Sequence, residues 1–275
     1  MLALRSRSYL FGFRAYDKDD LRILSKAGFG DRSLINPNSF CMSPTNGRVA
    51  IHFRGDGKSG PSIRVYSDYT LQTALNSFST DDFPVFFLTD DDKIIINGNN
   101  RNHNKIYDIN TGTLLNYQTE DTGTDFRPAI SADGKYIFNY LRVNNAWYKL
   151  YRYENGVFNL ITYRPDSRIK DIVFNPKKRN HVVMQSMDNY FSIYEVPGLN
   201  RIATIEGEFV CFDSFTGNIL YLDKDFGINS QLNVLNDTYN KTIFKVTTNL
   251  NYYGYYSHLI NNYLIVRNYY INIVK

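Results

Sequence analysis

A short apolar strand that ends on a small polar residue, turns, and leads into a second apolar strand recurs along this chain at a nearly constant interval. The interval restricts the fold more than any other feature of the sequence, because self-similarity at a fixed period is the mark of repeat architectures. The first copy reads Phe40-Cys41-Met42-Ser43, a turn at Asn46-Gly47, then Val49-Ala50-Ile51. It returns at Phe86-Phe87-Leu88-Thr89 with Asp90-Asp91-Asp92 and Ile94-Ile95-Ile96, and at Ala129-Ile130-Ser131 with Asp133-Gly134 and Tyr136-Ile137-Phe138. Later copies are Ile172-Val173-Phe174-Asn175, Val210-Cys211-Phe212-Asp213 and Tyr255-Tyr256-Ser257. The polar landmarks at 43, 89, 131, 175, 213 and 257 are separated by 46, 42, 44, 38 and 44 residues. A second landmark keeps the same beat: a later strand of each unit carries Tyr66, Tyr107, Tyr151, Tyr194 or Leu235, followed by a polar turn and one more strand. The clearest case is Lys105-Ile106-Tyr107-Asp108-Ile109-Asn110-Thr111-Gly112, then Thr113-Leu114-Leu115.

Each unit therefore reads as four antiparallel strands, a to d. Four strands in roughly forty residues is the period of a propeller blade. One such sheet cannot bury both of its faces, whereas sheets stacked around a ring cover one another and leave only short edges. The 23 Tyr and 19 Phe suit strands, where flat rings pack on a pleated surface. No ten-residue stretch has convincing helical periodicity; Asp19 to Lys26 comes nearest and fits a strand equally well. The chain is accordingly expected to be all-β: a six-bladed β-propeller of four-stranded antiparallel blades, one domain over residues 1–275, with seven blades as the alternative. Five units run from about residue 39 to 249. The sixth is expected to join C-terminal strands, Tyr253 to Val266, to N-terminal strands, Tyr9 to Tyr16 and Leu21 to Ser25, because Ala15-Tyr16-Asp17 echoes Ile106-Tyr107-Asp108. Tyr269 to Val274 also has the pattern of strand c, so a three-plus-one blade or an extra strand stays open.

The segments Ser131-Ala132-Asp133-Gly134-Lys135-Tyr136-Ile137 and Lys105 to Gly112 resemble the repeats of WD-like and TolB-like propellers. In those families "S-x-D-G-K-x-[IVL]" marks the turn from strand a to strand b, and "I-Y-D-x-x-T-G" the turn from c to d. The Gly-His and Trp-Asp pairs of true WD repeats are absent, and Trp147 is the one tryptophan, so the TolB-like kind is nearer. The resemblance implies a fold and a habit of binding other molecules on the face built by the d-to-a and b-to-c loops. It implies no chemistry, since propellers host enzymes and scaffolds alike.

A net charge of +4 is too small at this length to argue for nucleic acid. No apolar run approaches the length needed to span a bilayer. Cytoplasmic residence is expected if Met1 is the native start; the cell envelope, after removal of a leader, is the alternative. Gly55-Asp56-Gly57-Lys58-Ser59-Gly60 fails as a phosphate loop, because His52 stands where the first glycine is needed and Pro61 and a strand follow. Asp223-Lys224-Asp225-Phe226-Gly227 fails as a calcium loop, with its glycine one place early and Val234 at the twelfth position. Asp90-Asp91-Asp92 reads as a soluble turn. His52, His103, His181 and His258 show no metal-ligand spacing, and neither H-E-x-x-H nor G-x-S-x-G occurs. No catalytic residue, metal site or cofactor is assigned. Cys41 and Cys211 hold equivalent places on strand a of blades that are not neighbours in a six-bladed ring, so two reduced, buried thiols are expected.

The expected binding face collects Arg54, Arg101, His103, Arg142 and Arg267 from the b-to-c loops, and Arg127 and Arg168 at the approach to strand a. Arginine grips carboxylate and phosphate with two parallel hydrogen bonds, which suits an acidic partner. Asp56, Asp81, Asp82, Asp125 and Asp166 share those loops and could neutralise them. Trp147, just after a b-to-c loop, is a candidate ring for stacking, and Tyr252, Tyr253, Tyr255 and Tyr256 cluster nearby. The leading expectation is a non-enzymatic scaffold that binds a protein or peptide through loops on one face. The alternative is a carbohydrate-active hydrolase or lyase, or a sugar-binding envelope protein. Ligand identity and oligomeric state are not legible from the sequence.

Overall fold

The computed structural model describes residues 2–5, 12–16, 23–28, 35–43, 46–53, 61–68, 70–79, 83–87, 93–97, 103–119, 127–141, 147–165, 168–213, 215–223, 231–247, 257–260, 263–266 and 269–272. Among them there is no helix. Twenty-six strands form seven antiparallel sheets, each a meander in which chain neighbours pair. The first sheet holds β1 (Leu2–Arg5), β2 (Gly12–Tyr16) and β3 (Ile23–Gly28). The second holds β4 (Ile35–Met42), β5 (Val49–Phe53), β6 (Ser62–Tyr66) and β7 (Ala74–Ser79). The third holds β8 (Phe83–Phe87), β9 (Lys93–Asn97), β10 (His103–Asp108) and β11 (Leu114–Thr119). The fourth is β12 (Arg127–Ile130), β13 (Tyr136–Leu141), β14 (Trp147–Glu154) and β15 (Val157–Pro165). The fifth is β16 (Ile169–Phe174), β17 (His181–Ser186), β18 (Tyr190–Glu195) and β19 (Asn200–Glu206). The sixth is β20 (Glu208–Phe212), β21 (Ile219–Leu222), β22 (Gln231–Leu235) and β23 (Thr242–Thr247), and the seventh β24 (Ser257–Ile260), β25 (Tyr263–Val266) and β26 (Tyr269–Asn272).

The expected sharing of one blade by the two ends of the chain is corrected. β1 to β3 pair among themselves and β24 to β26 among themselves, each as a three-stranded sheet. The reason is a strand count: Leu2–Arg5 pairs with Phe13–Tyr16, and Tyr269–Asn272 extends the C-terminal hairpin, so six strands stand where four were expected.

Four of the six polar landmarks share one physical job, while Ser257 instead opens β24. Buried turns leave backbone donors that need acceptors. Ser43, Ser131, Asn175 and Asp213 are all buried at the turn from strand a to strand b. Their amides donate to Arg48, Tyr136, His181 and Asn218 carbonyls at 2.8–2.9 Å. Their side-chain oxygens accept from the turn itself: Ser131 Oγ from Tyr136 N at 2.9 Å, Asn175 Oδ1 from Lys177 N at 2.8 Å, Asp213 Oδ1 from Phe215 N at 2.9 Å. Thr89 lies outside the described residues. The c-to-d turns follow the same logic. Asp68 accepts from the Thr70 hydroxyl and amide, and Asp108 from the Thr111 amide and hydroxyl, and these bonds hold both carboxyls below the usual carboxylate range.

The second landmark marks a β-bulge. The register between strands c and d shifts between Ala15 and Tyr16, Val65 and Tyr66, Ile106 and Tyr107, Ile193 and Tyr194, and Val234 and Leu235. The extra residue falls on strand d and is aliphatic each time: Leu24, Leu75, Leu115, Ile202 and Ile243. Such a bulge increases the local twist of the outer strand pair. Because it recurs at Tyr16, β2 corresponds to strand c and the first sheet to strands b, c and d.

Burial grades across each sheet. β5 and β21 are buried at every position, and β13 and β17 at every position but the ends. The outer strands β15, β19 and β23 are mostly exposed or half-buried. A strand buried on both faces needs cover from two sides, which one-sided alternation would not require.

The chain forms two compact units, 1–128 with 153–159, and 129–152 with 160–275. In the first, β4 lies against β8, and Ala50, Ile63, Val65 and Phe78 pack with Ile109 and Tyr107 of the third sheet. Asn76 Nδ2 donates to the Ile109 carbonyl at 2.7 Å across that seam. In the second, Phe138, Tyr148 and Leu150 pack with Ile172, Phe174 and Met184 between the fourth and fifth sheets. Phe191, Ile193 and Val183 pack with Phe212, Ile219 and Tyr221 between the fifth and sixth. Polar ties join the same sheets: the Tyr140 hydroxyl donates to Asp171, Lys170 pairs with buried Glu208, and Gln185 Oε1 accepts from Phe209 N at 2.7 Å. Removing one partner of a buried ion pair strands the other. Lys170 keeps access to water, its side chain 32% exposed, so Glu208→Ala should cost about 2 kcal/mol and Glu208→Gln about 1 kcal/mol, read as lowered urea midpoints.

Candidate functional site

A groove of about 470 Å³ opens over the seam between the fourth and fifth sheets, wholly within the second unit. Its floor continues the apolar core, since Tyr148, Ile169 and Met184 belong to both. One wall is the exposed face of β18 and β19. Tyr190, Ser192 and Tyr194 alternate along β18 and so share a face. Thr204 stands opposite Ser192 and Arg201 opposite Tyr194 in the register, and the Ser192 and Thr204 hydroxyls bond at 2.9 Å. The long outer strand β15 brings Arg164 from the other side, and Arg168 enters just ahead of β16.

Three guanidiniums thus line one groove. Arg168 pairs with Asp188 at 3.5 Å in an exposed contact of little energetic weight. Among the described residues, Arg164 and Arg201 have no carboxylate within 4.0 Å. Among the described residues, Asp188 is the one carboxylate lining the groove.

Of the residues singled out from the sequence, Arg168 lies in this groove. Arg54, Arg101, Arg142 and Arg267 lie outside the described residues. His103 begins β10 and Arg127 begins β12, with only their backbones described. Trp147 is 5% exposed at the start of β14, with the Lys149 ammonium 5.3 Å from its ring centre. Sequence reasoning missed Arg164 and Arg201. Arg201 had a detectable signal, since it follows the c-to-d turn by the same spacing in which the repeat places strand d; Arg164 had none, because only the packing of two sheets brings it to the groove. The acidic triplet at 90–92, the glycine-rich loop at 55–60 and Lys224 to Gly227 lie outside the described residues. Among the described residues no group of three or more His, Cys, Asp or Glu side chains could hold a metal ion, and no helix is long and apolar enough to cross a membrane. No disulfide joins Cys41 and Cys211, which are half-buried rather than fully buried, and desolvation pushes the Cys41 thiol upward.

A second polar cluster ties the fifth and sixth sheets at the opposite, a-to-b end. Asn175 Nδ2 donates to Tyr239 Oη at 2.9 Å and to the Gly217 carbonyl at 3.3 Å. His181 Nδ1 lies 3.0 Å from the same Oη. The Tyr239 oxygen thus accepts from Asn175 and shares a second hydrogen bond with the His181 ring. Burial pushes the Tyr239 phenol up to about 12, so it keeps its proton. Burial, then the Lys178 ammonium, lowers the His181 pKa, while Glu195 opposes them. Lys178 also bonds Asp237, its Nζ 2.6 Å from the carbonyl and 3.6 Å from the carboxylate. A depressed histidine favours folding when neutral, so its contribution is complete above about pH 6.5, the unfolded value, and falls away as pH drops toward the lower folded value. Thermal midpoints measured between pH 8 and pH 5 should therefore fall more for the wild type than for His181→Gln.

The described residues define an all-β repeat protein: meander sheets with hydrogen-bonded polar turns, tied face to face, carrying an arginine-lined groove between two of them. No protein-family model matches the chain, and no curated protein matches it.

Proposed function

We propose that the chain is one β-propeller domain over residues 1–275, of the WD-like and TolB-like kind, and serves as a non-enzymatic scaffold for a protein or peptide partner. The propeller reading is supported by inner strands buried on both faces and by contacts made through strand a of the next sheet: β4 meets β8 and β20 meets β24, while β5, β13 and β18 reach β8, β16 and β20. Seven sheets favour the seven-bladed alternative over the six-bladed ring, because strands b, c and d at one end and a, b and c at the other exceed a single blade.

The observation that carries the binding reading is the groove lined, among the described residues, by three arginines and one carboxylate, over a seam closed by Phe138, Tyr148 and Phe174 and by the Tyr140–Asp171 hydrogen bond. A rigid cationic groove binds an anionic group without ordering cost to itself. The test is a selection of displayed random peptides on the intact protein, run beside a glycan array. Enrichment of salt-sensitive acidic peptides supports the scaffold. Glycan binding with no peptide enrichment, or turnover of a bound glycan, rejects it in favour of the carbohydrate-active reading.

A further inference from the structure

The groove has a direction, and its charges are not spread evenly along it. Tyr190 to Tyr194 spans four residues of extended strand, roughly 13 Å. Arg201 marks the Tyr194 end by its register on β19. The Arg168–Asp188 pair marks the Tyr190 end, since Asp188 lies two residues before Tyr190 in the turn that leads to β18. Arg164 lies one residue before the end of β15, where the chain leaves the fourth sheet for Arg168. Positive charge therefore sits at both ends, with phenol and hydroxyl groups between.

We infer that this groove holds an extended acidic peptide with two carboxylate side chains four residues apart, one on Arg164 and Arg168, the other on Arg201. The inference rests on the scaffold reading and specifies its ligand. An extended peptide has the same rise per residue as β18, and positions i and i+4 face the same side, so the two spacings match. The carboxylate is planar and takes two parallel bonds from a guanidinium. The volume of about 470 Å³ suits a short segment rather than a folded domain. A sugar ring would want a broad exposed aromatic platform; of the groove's rings Tyr148 is buried, Tyr194 is half-buried and Tyr190 alone is exposed, and the Ser192 and Thr204 hydroxyls already bond each other.

The experiment is fluorescence anisotropy on the intact chain with three probes: a labelled octapeptide with Glu at i and i+4 on a Gly/Ser background, its isomer with adjacent Glu residues, and an oligosaccharide of uronic acids. The spaced peptide should bind at least about ten-fold more tightly than the adjacent isomer. Arg164→Gln and Arg201→Gln should each weaken it about ten-fold, and Arg179→Gln, an exposed change at the other end of the sheet, should leave it unaltered. All three replacements are exposed, so thermal midpoints should stay at the wild-type value. Equal binding of the two peptides, or binding that ignores Arg201, overturns the spaced-carboxylate inference while the scaffold reading stands. Binding of the oligosaccharide alone, abolished by Arg201→Gln, overturns both. Failure of every probe to bind overturns the inference.

Discussion

Replacing Gly207 by alanine should destabilise the second unit by about 4 kcal/mol, from backbone strain and overpacking acting together. Gly207 alone connects β19 to β20, with Glu206 closing one sheet and Glu208 opening the next. Its φ is +137°, a conformation that side chains rarely adopt. An added Cβ would lie 2.3 Å from the Leu222 carbonyl oxygen and 3.0 Å from Tyr221 Cδ2. The nearest obstacle is backbone of β21, so relief requires shifting a central strand rather than turning a side chain. The Gly207 amide also donates to the Asn189 carbonyl at 2.7 Å, a bond any such shift would stretch. Gly156→Ala is the control: its φ is +81°, yet a Cβ there meets nothing within 4 Å, so only the strain of about 1 kcal/mol remains. Urea unfolding followed by the single tryptophan, buried Trp147, reads the second unit for Gly207→Ala, and circular dichroism of the whole chain reads Gly156→Ala, whose segment 153–159 groups with the first unit. A loss below about 1 kcal/mol for Gly207→Ala would show that the two sheets are joined more loosely than the geometry states.

Phe138→Ala should cost about 3–5 kcal/mol, the range for removing a fully buried phenylalanine ring. Phe138 is 0% exposed on β13 and sits at the centre of the seam between the fourth and fifth sheets. Its ring meets Tyr148 edge-on at 5.7 Å and Phe174 at 5.7 Å. Tyr148 is also a lining residue of the groove, so the cavity would loosen the floor on which a ligand rests. Phe138→Leu keeps most of the volume and should lose only about 1–2 kcal/mol. The same urea titration measures both. If alanine and leucine destabilise equally, the aromatic contacts rather than the filled volume hold the seam.

The repeat was open to reading in the residues because each turn solves the same local problem. A small polar side chain must cap buried amides at Ser43, Ser131, Asn175 and Asp213, and only a few residue types do so; the constraint is therefore written into the chain at a fixed period. Strand c was likewise legible at Tyr16, Tyr66, Tyr107 and Tyr194. Its reason was not: the aliphatic residue opposite, such as Leu75 or Ile202, looks like an ordinary strand position until the register shows it bulged outward. At the chain ends the local signal was present but the count was short, since Leu2–Arg5 is too brief to stand out without its partner strand.

All-β character, sheet size and turn chemistry follow from neighbours in sequence: strand alternation and turn capping act over a few residues, so their pattern survives in the linear order. The assembly of the groove does not. Arg164, Arg168 and Arg201 come to one groove from two sheets through the packing of β13 and β14 against β16 and β17, a matter of ring volumes and hydrogen bonds across a seam. Trp147 shows the converse, since a residue beside a loop became core once Lys149 and the adjoining strands closed around it. Side-chain direction over such distances depends on which faces meet, and that is decided when sheets pack.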